Sequence, residues 1–392
     1  MYLRLITMFL IIISSGSIIF QIYGEYLTVF LFFLIFLLFF SAKECYIYKK
    51  KHMMTFFISI SLIILYLIFS KLYFSNTELI PYIKLVLRFL FMGLIILYYL
   101  KIGFYKLQND IYIVLKFILL LSIINFIIIN LFSNIFVLSN NFNVNTIIYI
   151  FNYMSQTNLS YFNIYRNQGL FWEPGVLQVF INLLIFLSLY VYKERKIYFL
   201  SILTIISTFS TIGILIAFIM VLNYYFINSK LDLKRLLFFI PIGIIIGFIL
   251  YINIMEKLYG SGVHSSGLRY LDFIYGLNII SNYPLMGIGY DQNLYISMVN
   301  DSIIDFTNMS ESLIKNRGNT NGILSSAIYL GIPFSLFMIY SLYRQIVIGN
   351  KNIVFILFLL TLLSEPLIFT NFFLLIIFSG LVSSIVKVNY AK

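Results

Sequence analysis

Residues 197–228 read IYFLSILTIISTFSTIGILIAFIMVLNYYFIN, and the division of this stretch decides the topology. As one helix, its ~32 residues would run ~48 Å at 1.5 Å per residue, too long for an ordinary membrane crossing. Lys193, Arg195 and Lys196 precede it, and Lys230, Lys234 and Arg235 follow it. Short basic connections stay in the cytoplasm during insertion, which places both ends of the stretch on one side. The chain must therefore turn back, and Ser210, Thr211 and Gly213 are the residues suited to the turn. Two short helices are predicted.

The remainder of the chain has the same character. Its 392 residues are 61% hydrophobic and only 10% charged, with a mean hydropathy of +0.99. Apolar runs of ~18–25 residues recur throughout, each long enough to cross a ~30 Å hydrocarbon layer as a helix. Spans are predicted over 3–20, 27–42, 55–74, 83–100, 111–132, 173–192, 197–210, 212–228, 236–253, 322–343, 352–368 and 371–388. The expected fold is all-α: about 12 transmembrane helices in one helical membrane domain over 1–392, with both termini inside. Two long connections, approximately 133–172 and 254–321, then share the outer face. Short helices are expected in them.

The net charge of +12 does not indicate nucleic acid. The cations cluster in short connections, at Lys43 and Lys49 to Lys51, Lys101 and Lys106, and Arg344 and Lys351, besides those already named. That is the positive-inside pattern. Cys45 is the single cysteine, so no intramolecular disulfide forms. The first span follows Met1 and Arg4, lacks a small-residue cleavage site, and is read as retained.

Against this background the charged residues near apolar spans carry the functional argument. A charge at bilayer depth costs roughly 2.5–3.5 kcal/mol on insertion scales, so such groups face a cavity or a partner. Residues 166–175, RNQGLFWEPG, place Arg166, Trp172 and Glu173 at the start of a span. Glu173-Pro174 has the form of a helix start, with proline at the first position and a carboxylate near the positive dipole end. Glu173 then either caps a span, with Trp172 in the interfacial belt and Arg166 reaching headgroups, or belongs to a polar site. In the second long connection, Leu268, Leu271, Ile274, Tyr275 and Leu277 form one helical face, predicting an amphipathic helix on the membrane surface. Arg269, Asp272 and Gly276 lie towards another face, and an exposed Arg269–Asp272 pair would contribute only a few tenths of a kcal/mol. Gly287-Ile288-Gly289 after Pro284 reads as a turn, with a weak phosphate signal. Lys315 and Arg317 precede Gly318-Asn319-Thr320-Asn321, and Ser364-Glu365-Pro366 puts a second carboxylate within or beside the membrane. Glu365 either lines a polar cavity or packs as a neutral acid.

His52 and His264, the only histidines, fall on opposite faces, so no histidine metal cluster is expected. There is no Walker loop and no Gly-x-Ser-x-Gly elbow. No metal and no cofactor is expected.

In order and spacing, several motifs resemble the Wzy-type O-antigen polymerase family within the O-antigen ligase/polymerase superfamily. They are Arg166-x-x-Gly-x-Phe-Trp-Glu-Pro-Gly, Ser210-Thr211-x-Gly213, Ser266-Gly267-x-Arg269, Asn282-x-Pro284-Leu285-x-Gly287-x-Gly289 and Ser364-Glu365-Pro366. The resemblance covers most of the chain after about Tyr161. It implies a GT-C-like glycosyltransferase of the bacterial cytoplasmic (inner) membrane, with its active site outside the cytoplasm. It further implies polymerisation of undecaprenyl-pyrophosphate-linked oligosaccharide repeat units, membrane lipid around the protein, and a chain-length regulator as a possible partner. Where ligases of the superfamily carry His-Asn, this chain has Thr320-Asn321, which favours polymerase over ligase. The ligase arginine beside the Ser/Gly turn is replaced by Thr211-Ile212.

A sugar–pyrophosphate leaving group is an anion, and a guanidinium binds its oxygens bidentately. Arg166 and Arg269 are the expected donor contacts over one outer cleft, with Arg317 a weaker third. Glu173 is the expected base for the acceptor hydroxyl, with Glu365 and Asp272 behind it; these two and Trp172 are expected to bind substrate. A lipid-linked saccharide flippase and an O-antigen ligase are the alternatives.

Overall fold

The computed structural model describes residues 1–41, 50–74, 77–139, 144–147, 149–153, 158–159, 164–228, 263–303 and 318–383, with isolated positions between 243 and 259. Arg317 and most of the expected span 236–253 lie outside the described residues. The chain divides into two compact units. One comprises Met1–Leu31, Gln108–Gly267 and Ile356–Thr361, and the other Phe32–Leu107, Leu268–Phe355 and Leu362–Lys392.

Among the described residues, six helical segments are long and apolar enough to cross a membrane. They include α3 (Gly24–Ser41), most of α4 (Lys50–Tyr73), α5 (Leu79–Ile102) and α6 (Phe104–Leu131). The others are Pro174–Val191 and Gly322–Tyr343. This fits an all-α membrane protein.

In the first unit the expected first span is two pieces, α1 (Tyr2–Ile13) and α2 (Ile18–Ile22). They part at Gly16, whose φ of +140° only glycine adopts comfortably. Among its described residues the first long connection holds, besides a short 3-10 helix over Ser133–Ile135, short strands that the sequence did not lead one to expect. β1 (Val137–Ser139), β2 (Val144–Ile147) and β3 (Phe151–Tyr153) form an antiparallel sheet, with Val137 opposite Thr146 and Thr146 opposite Asn152. β4 (Asn158–Leu159) pairs with β5 (Ile164–Tyr165). Phe136 and Tyr153 pack on Ile129 beneath the sheet, which is why a segment of β-branched and aromatic residues prefers the pleated form.

At the centre of this unit stands α7 (Pro174–Phe186), all of whose residues are buried, continuing as a π turn over Leu187–Val191. A helix that is apolar on every side belongs inside a bundle. α8 (Arg195–Thr208) and α9 (Thr211–Asn228) both pack against it. The break between them falls where the sequence places it. Phe209 is left-handed at φ 48°, and the Ser210 hydroxyl accepts from the Gly213 amide at 3.3 Å, capping α9. Gly213 also permits close packing: a Cβ there would lie 2.8 Å from Cβ of Gln178 on α7.

The second unit contains α4, α5, most of α10 (Val263–Asn282), α11 (Gln292–Ile303), α12 (Gly322–Tyr343) and α14 (Asn371–Leu381). It also contains both ends of α13 (Lys351–Ser364), which stops ahead of Glu365-Pro366. α14 is buried from Asn371 to Gly380, with α5 and α12 against it.

α12 is not continuous, although the sequence predicts an unbroken span there. Gly331 takes φ 82° and ψ 166°, and Pro333 has no amide to donate. The carbonyls released by this break are satisfied from a distant turn. The Ile288 amide donates to Ile328 O at 2.8 Å and the Gly289 amide to Tyr329 O at 3.1 Å. In return the Ile332 amide donates to Pro284 O at 2.8 Å, and the Tyr66 hydroxyl to Leu330 O at 2.5 Å. The Pro284–Gly289 turn is thus a backbone plug for a broken helix. Its amides at 288 and 289 are occupied by protein carbonyls, which removes them from any phosphate-binding role.

Candidate functional site

In α10, Ile274 and Leu277 of the expected apolar face are exposed, whereas Tyr275 of that face is buried. Asp272, Tyr275, Gly276 and Ile279 are buried, at helical spacing, while Tyr270, Phe273, Ile274 and Leu277 are exposed. Large apolar side chains of this helix face out, while Asp272 faces in beside Tyr275 and Ile279. That polarity is what a lipid environment imposes, because there the charged groups must find partners inside the protein.

Asp272 is 4% exposed and organises the inward face. Its Oδ2 accepts from the Thr320 hydroxyl at 2.8 Å and from the Thr320 amide at 3.2 Å. Its Oδ1 lies 3.5 Å from the Tyr295 hydroxyl on α11. Asn319 donates to the Asp272 carbonyl at 2.9 Å and to Tyr295 Oη at 3.1 Å. Gly276 makes room for this amide, since a Cβ there would lie 3.3 Å from Asn319 Nδ2. Asn321 then caps α12, accepting from the Ile323 and Leu324 amides at 3.0 Å each. The sequence Asn319-Thr320-Asn321 is therefore held as a rigid lead-in to α12.

Arg269 lies one turn before Asp272 on the same helix. Its guanidinium donates to the Ser364 carbonyl at 3.2 Å, and its Nη2 lies 3.7 Å from Glu365 Oε1. The Arg269 side chain is 38% exposed and that of Glu365 only 4%. An enclosed carboxylate thus holds a cation that is still open on part of its surface. Gly322 brings the start of α12 against the same backbone: a Cβ there would lie 2.8 Å from Glu365 O. Beyond Pro366, the Phe369 carbonyl accepts from Arg88 at 3.4 Å. Two arginines accordingly hold the turn over residues 364–370, one near each end. Burial pushes the Tyr290 phenol above its ordinary range, with the Arg88 guanidinium opposing the shift, so the phenol keeps its proton at neutral pH.

Arg166, Trp172 and Glu173 belong to the first unit. Arg166 Nε donates to Thr208 O at 3.0 Å and its Nη2 to Phe209 O at 3.3 Å, so the guanidinium closes the carboxyl end of α8. The following residues form a knot. Asn167 donates through its backbone to Ser207 O and through its side chain to Ser207 Oγ. Asn125 and Asn152 both donate to Gly169 O, at 3.1 and 3.2 Å, and Gln168 donates to Asn152 Oδ1. The Trp172 amide donates to Gly16 O at 2.9 Å. Glu173 is the N-cap of α7 with Pro174 behind it, as the sequence implies, and its side chain is half-buried. Replacing Arg166 with lysine gives up the two-pronged contact with α8 and is expected to lower stability by about 1–3 kcal/mol. Thermal unfolding of the purified protein measures this; an unchanged midpoint would show that those bonds contribute nothing.

Sequence reasoning passed over Lys84 and Arg88. They sit four residues apart inside an apolar run, and that spacing within a span was the signal available. It also passed over Arg4 and Asp110, whose Nε and Oδ2 meet at 2.5 Å with the aspartate fully buried. Among the described residues, no group of three or more His, Cys, Asp or Glu side chains could hold a metal ion.

Fold and polar network together describe a helical, membrane-embedded protein with charged side chains folded inward. Compared with known proteins, the sequence matches no family model and no curated protein.

Proposed function

We propose that this chain is a membrane glycosyltransferase that lengthens saccharides carried on a polyprenyl diphosphate. The observation carrying the reading is the Arg269–Glu365 pair, an oriented, part-exposed guanidinium beside an enclosed carboxylate and the ordered Asn319–Asn321 segment. Transfer of the sugar leaves a diphosphate, and negative charge grows on its oxygens as the glycosidic bond breaks. A guanidinium already fixed by Ser364 O and Glu365 meets that charge without reorganising. Asp272, one turn along the same helix, holds Thr320, which stands where a ligase would carry histidine. The resemblance in the Arg166, Ser210, Arg269, Pro284 and Glu365 motifs supplies the substrate: an undecaprenyl-pyrophosphate-linked repeat unit, used on the extracytoplasmic side of the bacterial inner membrane. A chain-length regulator is a proposed partner on the same ground.

A transporter of the same lipid-linked saccharide is the second reading, favoured by a specific observation. Arg4–Asp110 and Arg88 put charges inside helices, where transporters keep their pathways. Chain extension by the purified protein, without an energy source, separates the two readings. Lengthened lipid-linked product supports the transferase, and its absence removes it.

A further inference from the structure

Lys84 and Arg88 stand ~8 and ~14 Å along α5 from its first residue, inside a segment apolar enough to span a membrane. Both line a cleft of ≈ 320 Å³ within the second unit, together with Glu78, Asp291, Gln292 and Tyr329. That volume lies at the lower end of small-molecule sites. The polar lining combines two cations, two carboxylates, a side-chain amide and two tyrosines, Tyr290 being the second, which is a chemistry for reading hydroxyls and one anionic group together. Its walls are fixed. Asp291 Oδ1 accepts from the Asn293 and Leu294 amides at 2.9 and 3.3 Å, and Oδ2 accepts from the Glu78 amide at 3.0 Å. Glu78 Oε1 accepts from Asn293 Nδ2 at 3.0 Å. The cleft also touches the network already described: Gly318 lies over Gln292 and Tyr329, and Tyr329 packs edge-on against Tyr295 at 6.1 Å.

We infer that this cleft binds a sugar residue carrying a carboxylate, a uronic acid, as part of the saccharide acted on. The inference rests on the proposed function for the ligand being a saccharide. Arg88 offers a planar fork suited to a carboxylate, and Lys84 adds a second charge at the rim. Glu78 and Asp291 accept from ring hydroxyls, and Tyr329 offers an aromatic surface and a hydroxyl. The four formal charges of the lining sum to zero, which admits a singly charged ligand more readily than a dianionic phosphate. The consequence for function is selectivity for an acidic repeat unit.

Titration calorimetry on the full-length protein, in discs of zwitterionic lipid, tests this with three probes: glucuronate, glucose and inorganic phosphate. Glucuronate is expected to bind saturably and at least about tenfold more tightly than glucose, as loss of a charge-assisted contact implies. Phosphate at equal concentration should not displace it. Lys84→Met should weaken glucuronate about tenfold and Lys84→Arg should restore it. Arg88 also supports the Phe369 turn, so Glu78→Gln provides the variant that does not touch it. Removing that negative charge should let phosphate compete. Equal binding of glucose, or unaltered glucuronate binding in Lys84→Met, would overturn the assignment. So would displacement of glucuronate by phosphate from the unaltered protein, or by phosphatidylglycerol added to the discs. Chain extension of a neutral repeat without glucuronate binding would sink the subsite alone. Glucuronate binding without any extension would sink the transferase alone.

Discussion

A Gly331→Ala protein is expected to lose most of its folded yield and to show a clearly lowered thermal midpoint. The backbone of Gly331, at φ 82° and ψ 166°, occupies a region that residues with a Cβ essentially never adopt. That strain costs about 1–3 kcal/mol by itself. A methyl group there would also collide with the backbone of Leu285, whose carbonyl oxygen and carbon lie far inside van der Waals contact distance. Relieving the collision separates the Pro284–Gly289 turn from α12. Ile328 O and Tyr329 O then lose their donors, and each unpaired carbonyl away from water costs ~1–3 kcal/mol. Gly267→Ala is the control, because a Cβ at that position on α10 meets nothing within 4 Å. Size-exclusion profiles and thermal unfolding of the two variants decide the matter. Equal midpoints for Gly331→Ala and Gly267→Ala would refute the interlock.

Arg269→Lys is expected to stay folded with a weaker hold on the 364–370 turn, and to lower chain extension by ~10²-fold, the usual consequence of losing one preorganised donor to a developing anion. Lysine keeps the charge but cannot hold Ser364 O and Glu365 while also presenting a fork to a diphosphate. Glu365→Gln should have the smaller effect, about tenfold, because the guanidinium remains but loses its enclosed counter-charge. Initial rates with purified lipid-linked repeat measure both. Wild-type rates in Arg269→Lys would remove Arg269 from the chemistry.

Much of the helical frame is readable in the sequence, for reasons that are local. The start of α7 follows from Glu173-Pro174, and the α8–α9 break from the excess length of residues 197–228. The break at Gly331 was signalled by Gly331-Ile332-Pro333, yet its stabilising partner is a turn some forty residues earlier in the chain, which no local pattern reveals. The strands at 137–153 were missed because polar residues interrupt their alternation, and the Ile129–Phe136–Tyr153 cluster that supports them spans distant positions. Among the site residues, Asp272 and Glu365 stood out because carboxylates are rare here, but their partners did not. Thr320 and Asn319 look like loop residues until α10 is seen to turn Asp272 inward. Arg166 is similar. Its guanidinium engages Thr208 O and Phe209 O, partners some forty residues away that its surroundings in sequence do not announce.

The most direct test is to incubate the purified chain with a polyprenyl-diphosphate-linked repeat unit alone, with no nucleotide and no ion gradient, and resolve the products by length. A ladder of saccharides longer than one repeat, reduced ~10²-fold by Arg269→Lys, is the expected result. No product longer than one repeat, while the same protein in sealed vesicles carries the lipid-linked saccharide from one leaflet to the other, is the contradicting one.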